Sequence, residues 1–157
     1  MQIRKAVAED MPRLGHVMSV SFRTAFRGLV TDATLEACAQ EERCAGLLAH
    51  VFEQGKTNFL TDGQAGMLAW QQMQDGAEII AIHSLPESWG SGLGSALLKE
   101  ALAQIGSQPV SLWVFTENAR ARHFYEKHGL HWDGQRRDSD FDGAEELHYV
   151  RFPDERK

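Results

Sequence analysis
Apolar and polar positions change period several times along the 157 residues, and each change marks an element. Gln2 to Val7 alternates as a short strand does, throwing successive side chains to opposite faces. Asp10 and Pro12 then open a helix whose Leu14, Val17, Met18 and Phe22 recur at helical spacing. Phe26, Gly28, Leu29 and Val30 form a connector. A second helix follows over Thr34 to Gln54, using Leu35, Cys38, Leu47, Leu48, Val51 and Phe52, and Gly55 ends it.

Three strand-like runs come next, Asn58 to Thr61, Met67 to Met73 and Glu78 to Leu85. Asp62-Gly63 and Asp75-Gly76 separate them, and these dipeptides suit hairpins because they accept positive φ, so the runs predict an antiparallel meander. From Gly92 to Gln104 the period returns to helical, with Leu93, Leu97, Leu98, Ala101, Leu102 and Ile105 on the apolar side and Lys99, Glu100 and Gln104 toward water. Val110 to Phe115 is almost unbroken apolar, as a central strand covered on both faces is. The helical crossover from Leu85 makes it parallel to the strand before it, so the sheet is mixed. Asn118 to His128 predicts a short helix with Gly129 just past its end; Leu130 to Arg136 and Glu145 to Phe152 then pair across Asp142-Gly143. The fold class is α/β (α+β), with element order β-α-α-β-β-β-α-β-α-β-β in a single domain over 1–157.

Composition narrows the function. Apolar residues at 43% and charged residues at 24% are ordinary for a soluble globular chain, and no low-complexity run marks a linker. A net charge of −6 argues against nucleic acid as a partner, since phosphate backbones recruit clusters of Lys and Arg. The start, MQIRKAVAEDM, has no apolar leader, and no run is long enough to cross a bilayer, so the expected location is the cytoplasm, away from membranes. Cys38 and Cys44, six apart in one expected helix, fall on different faces and form neither a disulfide nor a metal site.

The chemistry gathers at Ile82 to Leu98, IHSLPESWGSGLGSALL, where a strand stops at a proline, glycines follow and a helix begins. Gly90, Gly92 and Gly94 let consecutive backbone N–H groups point at one anion, and the helix adds its positive end. The same turn also suits close packing alone. PESWGSGLGSALL resembles the cofactor motif of the GNAT superfamily of acetyl-CoA-dependent N-acetyltransferases, and LWVFTENARARHFYEKHGL its following strand and helix. The resemblance is specific from about Glu78 to Leu130; in the first 60 residues only SFRTAFRGLV is similar, to the connector between the first two helices of many small bacterial members.

That resemblance implies acetyl-CoA as cosubstrate and a splayed central parallel strand pair. It places the pantetheine arm on the backbone of Ile82, His83 and Ser84 and the pyrophosphate on the N–H groups of Gly90, Ser91, Gly92, Leu93, Gly94 and Ser95. It departs at Trp89, where the family usually has Arg or Gln; backbone donors carry most of the cradle, so the departure weakens phosphate binding without abolishing it. By the same resemblance Tyr125 is the general acid, seven residues beyond Asn118 and on the same helical face, while Asn118 caps the helix or bonds the pantetheine arm. A phenol with a reference pKa of about 10 is protonated at neutral pH, which makes it an acid and not a base.

The base is less defined. Glu78 matches the glutamate of the histone-acetyltransferase branch and shares a face with Ile80 and Ile82, but about 13 Å of strand separates it from Ile82, so it acts through water. His83 is a further candidate, which strict alternation sends to the face opposite Glu78 unless a bulge intervenes. Members that acetylate protein N-termini carry a glutamate where this chain has Trp113, which counts against that substrate. The expected reaction moves acetyl to a primary amine of a small molecule by direct attack in a ternary complex. The alternatives are a non-catalytic acetyl-CoA-binding regulatory module and a peptide or protein acetyltransferase; a homodimer is compatible with the resemblance.

Phe22, Phe26 and the hairpin near Asp138 to Asp142 are expected to shape the acceptor pocket, and the carboxylates there favour a cationic acceptor such as a polyamine or aminoglycoside. No metal is expected. Asp138, Asp140 and Asp142-Gly143 imitate a calcium loop whose twelfth position is Tyr149 instead of Glu, and His123, His128 and His131 share no ligand face. GSGLGS lacks the last glycine of a dinucleotide fingerprint and follows a hairpin rather than a βαβ unit. Arg120 and Arg122 could reach the 3′-phosphate of coenzyme A, solvated helix positions explain them equally well, and they are left out of the expected site.

Overall fold
Residues 2–153 are described by the computed structural model. A two-residue strand, β1 (Arg4–Lys5), pairs antiparallel with β2 (Thr57–Thr61). Between them run three helices, α1 (Met11–Ala25), α2 (Asp32–Cys38) and α3 (Glu41–Glu53). Pro12 sits in the first turn of α1, where its missing N–H costs nothing, and the Asp10 carboxylate just ahead accepts from Val7 N–H at 2.8 Å and pairs with Arg4.

One expected helix is thus two. Thr34 to Gln54 breaks at Ala39 and Gln40, where Gln40 turns extended at φ −72°, ψ 127°. The freed carbonyls are taken up by side chains: Ser19 Oγ donates to Ala39 O, Arg43 to Ala37 O at 3.1 Å and Cys44 Sγ to Cys38 O at 3.3 Å. Periodicity alone does not register such a break, because its compensation comes from α1 and from beyond the gap.

The meander follows the hairpin signals. β2, β3 (Gly66–Met73) and β4 (Gly76–Ser84) are antiparallel neighbours, and Asp62 Oδ1 accepts the N–H groups of Gln64, Ala65 and Gly66 to shape the first turn. Helix α4 (Leu93–Ile105) crosses to β5 (Val110–Phe115), then come α5 (Ala119–Lys127), β6 (His131–Asp138) and β7 (Glu145–Arg151). Gly129, at φ +86°, lets Leu130 N–H return to Tyr125 O at 3.1 Å and stop α5. The seven strands lie in the order β1-β2-β3-β4-β5-β7-β6, and β4 with β5 is the parallel pair.

Leu68, Ile79, Leu97, Leu98, Leu112 and Tyr149 build the core between α4 and one sheet face. Leu14, Val17, Leu48, Phe59 and Met67 build the other, under α1 and α3. These two helices approach so closely that a Cβ on Gly15 would lie 2.6 Å from the Ala45 backbone. Gly15→Val should therefore cost about 1–3 kcal/mol by overpacking, read as a melting temperature lower by roughly 2–4 °C per kcal/mol. Exposed Gly46 has open space around it, so Gly46→Ala should instead stabilise by about 0.5–1 kcal/mol through helix propensity; both are readable by thermal denaturation.

Candidate active site
Parallel pairing of β4 with β5 covers Ala77↔Val110 and Glu78↔Ser111 and then stops. Beyond that point β4 is held by β3 and β5 by β7, and a cleft of about 540 Å³ opens between them. Ile82, His83, Ser84, Trp89, Gly94, Asn118 and Tyr125 all line it, which brings seven of the expected site residues together.

The rim is the turn into α4. Gly90 and Gly92 have φ of +81° and +91°, and a Cβ at either would meet nothing within 4 Å, so their faces are open. Ala96 N–H donates to Gly92 O as the first bond of the helix, which leaves the amides of Gly92 to Ser95 ahead of the helical ladder. Two of the expected donors are engaged within the turn: Ser91 N–H bonds Ser88 O at 3.1 Å and Leu93 N–H bonds Ser91 Oγ at 3.3 Å. Gly94 has a packing role, its would-be Cβ lying 3.3 Å from the Phe124 ring.

Trp89 is built into the rim. Its indole Nε1 donates to Ser84 O at 3.2 Å, tying the turn to the end of β4, and the Arg120 guanidinium stacks 3.5 Å over its ring. A guanidinium thus stands beside the glycine turn even though position 89 is not arginine. The sequence leaves Arg120 open between a contact to the 3′-phosphate of coenzyme A and a solvated helix position; an aromatic at position 89 and an arginine two residues past Asn118 were the available signals for its place beside the turn.

Also in the lining, Tyr125 is buried in the cluster that holds Leu97, Leu98 and Leu112, and burial pushes its phenol well above the ordinary tyrosine range. Asn118 Oδ1 accepts Ala121 N–H at 3.1 Å, the cap role expected of it. His83 is buried on the α1 side, with Nδ1 3.0 Å from Ser21 Oγ and its ring 5.2 Å from that of Phe22. Burial lowers its pKa from 6.5 to about 4, so the imidazole is neutral at physiological pH.

Glu78 is not among the residues lining this cleft. It stands where β4 and β5 are still paired, on a separate groove with Gly76, Val110 and His148. Nor does it share a face with Ile82: Trp70 pairs with Ile79 but Ala69 with Ala81, so Ile80 is an extra residue and the alternation inverts across it. Ala77, Ile79 and Ile82 face the α4 core, which leaves Glu78 on the side that His83 takes after the bulge. Among the hairpin carboxylates, Asp142 accepts from Thr31 N–H at 2.7 Å and from Thr34 Oγ1, capping α2, and neither Asp138 nor Asp140 lines the cleft.

A family model described as the acetyltransferase (GNAT) family matches residues 17–130. The chain belongs to this family. Among solved structures, this GNAT chain is similar to the PaiA N-acetyltransferase of Thermoplasma acidophilum in complex with coenzyme A, at 23% identity over 96% of this chain and 98% of that one, with a TM-score of 0.79. It is also similar to the ribosomal-protein-S18-alanine N-acetyltransferase of Escherichia coli, at 22% identity over 96% and 92% of the two chains, TM-score 0.68. These likenesses establish the fold. A Mycobacterium tuberculosis protein named "Probable N-acetyltransferase Rv2775" is 38% identical over 61 residues, which are 39% of this chain and 35% of that relative. The match thus spans about a third of that protein's length. Among the described residues no cluster of His, Cys, Asp and Glu suits a metal ion, and no helix is long and apolar enough to cross a membrane.

The neutral burial of His83 in this GNAT fold has a thermodynamic consequence. Below pH 6.5 the unfolded chain binds a proton that the folded chain refuses until about pH 4, so stability should fall across that window, by at most about 3 kcal/mol. Urea unfolding between pH 7 and pH 4 should show this loss, and His83→Gln should flatten that part of the profile.

Proposed function
We propose that this GNAT chain transfers an acetyl group from acetyl-CoA to a primary amine of a small molecule, by direct attack in a ternary complex. The observation that carries the reading is the cleft between parted parallel strands, with a glycine turn on one rim and the Tyr125 phenol in its wall. Such a cleft fits a long donor with an anionic end: the open faces of Gly90 and Gly92 admit a phosphate close to the backbone, and Arg120 and Lys127 put positive charge in the same lining. When bound, the donor supplies a thioester carbonyl.

The chain's own groups then have distinct tasks. The backbone of Ile82, His83 and Ser84 holds the pantetheine arm, and Ile82 N–H polarises the carbonyl. The amides of Gly90 to Ser95, helped by Trp89 and its stacked Arg120, take the pyrophosphate. Tyr125 keeps its proton at neutral pH and gives it to the departing thiolate as the C–S bond breaks. Asn118 fixes the start of the helix that carries Tyr125. Neutral His83 accepts a hydrogen bond from the incoming amine, and Glu78, at the closed end of the strands, takes part only through water.

Calorimetric titration with acetyl-CoA, followed by thiol release over a panel of amines, tests the reading; tight binding without turnover on any amine would favour a regulatory module instead. Tyr125→Phe should lower kcat by about 10²–10⁴-fold, the range of a general acid, while acetyl-CoA affinity changes less than twofold. An equal loss in both would remove the acid role. Trp89→Ala and Arg120→Gln should each weaken acetyl-CoA binding by roughly tenfold, and the double variant by less than the product, because the two side chains act as one unit.

A further inference from the structure
The cleft has a side formed by α1, on the sheet face away from α4, and its chemistry differs. Four phenylalanines from three parts of the chain meet there: Phe22 and Phe26 of α1 and its C-terminal end, Phe115 at the end of β5, and Phe141 of the β6–β7 hairpin. Ring centroids lie 4.9 Å apart for Phe22 and Phe26, 5.0 Å for Phe26 and Phe115, 6.0 Å for Phe115 and Phe141, and 6.1 Å for Phe22 and Phe141. They form one continuous wall, of which half-buried Phe26 and Phe141 are the accessible part.

The wall is held in place. Phe141 N–H donates to Ser139 Oγ at 3.1 Å, and the next residue, Asp142, clasps the start of α2 through Thr31 and Thr34. A ring arriving there meets a surface whose ordering has already been done. Neutral His83 sits edge-on to Phe22 at the inner margin of the wall.

Charge in the lining points the same way. Among the described residues its one carboxylate is Glu146, which is largely buried and already accepts from Arg137 at 2.9 Å. Among the described lining residues an acceptor with several ammonium groups would find no free carboxylate for the charges that do not react.

We propose that the acceptor is a monoamine carrying an aromatic ring, an arylalkylamine, whose ring lies on the Phe22–Phe26–Phe115–Phe141 wall while its amino group reaches past His83 toward the parted strands. This rests on the acetyl-transfer reading above. The amine nitrogen bonds to the acyl carbon and the carbon–sulfur bond breaks. The products are one N-acetylarylalkylamine and one free thiol, with the proton lost by the nitrogen balancing the one gained by sulfur.

The test is thiol release by the purified protein with saturating acetyl-CoA and 2-phenylethylamine, tryptamine, ethylamine, spermidine, kanamycin or an alanine-initiated peptide. The two aromatic amines should exceed ethylamine in kcat/KM on the order of a hundredfold, as buried apolar area requires, and should exceed spermidine and kanamycin as well. Phe141→Ala and Phe141→Leu should lower the ratio of 2-phenylethylamine to ethylamine by about tenfold; because it is a ratio, loss of folded protein cancels. Faster turnover of spermidine, kanamycin or the peptide than of either aromatic amine overturns the substrate class and leaves acetyl transfer standing. An unchanged ratio in both variants overturns the wall as its reader. Absence of acetyl-CoA binding in calorimetry overturns the acetyl-transfer reading and this proposal with it.

Discussion
Two strands that begin as hydrogen-bonded neighbours and then part are the constraint on which the rest of this structure depends. Past Glu78 and Ser111 the facing edges of β4 and β5 no longer pair with each other, although each strand stays anchored on its far side. Backbone N–H and C=O groups inside a protein require partners, so the gap is a template for something extended and polar. The surrounding elements all serve it. The turn into α4 supplies an amide-rich rim, α5 brings Arg120 over that rim and Tyr125 into the lining, and α1 with the β6–β7 hairpin contributes aromatic rings.

Local rules were sufficient wherever a local cause decides. Each expected hairpin dipeptide lies at a turn, the glycines before α4 take positive φ, and Asn118 caps the helix it precedes. The failures share a different cause. A single extra residue at Ile80 inverts the alternation of β4, and with it the side on which Glu78 and His83 stand; a period of two has no means of registering a bulge whose origin is the partner strand. The break at Ala39 and Gln40 is stabilised from α1, far away in sequence. Arg120 gained its place only when Trp89 came beneath it, and Phe115 and Phe141 joined Phe22 and Phe26 only through the tertiary fold. Asp142, one of the hairpin carboxylates, likewise has a structural partner at the start of α2 that charge counting does not reveal.

What the cleft contains also divides its labour by chemistry. Backbone amides and the Arg120 guanidinium gather at the glycine turn, whereas elsewhere in the lining burial keeps both the Tyr125 phenol and the His83 imidazole uncharged. Low polarity around reacting groups strengthens the few hydrogen bonds left there and makes any unpaired charge costly.

The position of β7 in the sheet has a consequence for biosynthesis. It inserts between β5 and β6, so the edge of β5 that it covers, with its apolar run VSLWVF, has no partner until the chain has been made through Arg151. At ~5–20 residues per second, a nascent chain exposes that edge for seconds. An unpaired apolar strand is an invitation to another chain's strand. A chain that stops shortly before Glu145 would thus carry an unpaired, aggregation-prone β5 edge.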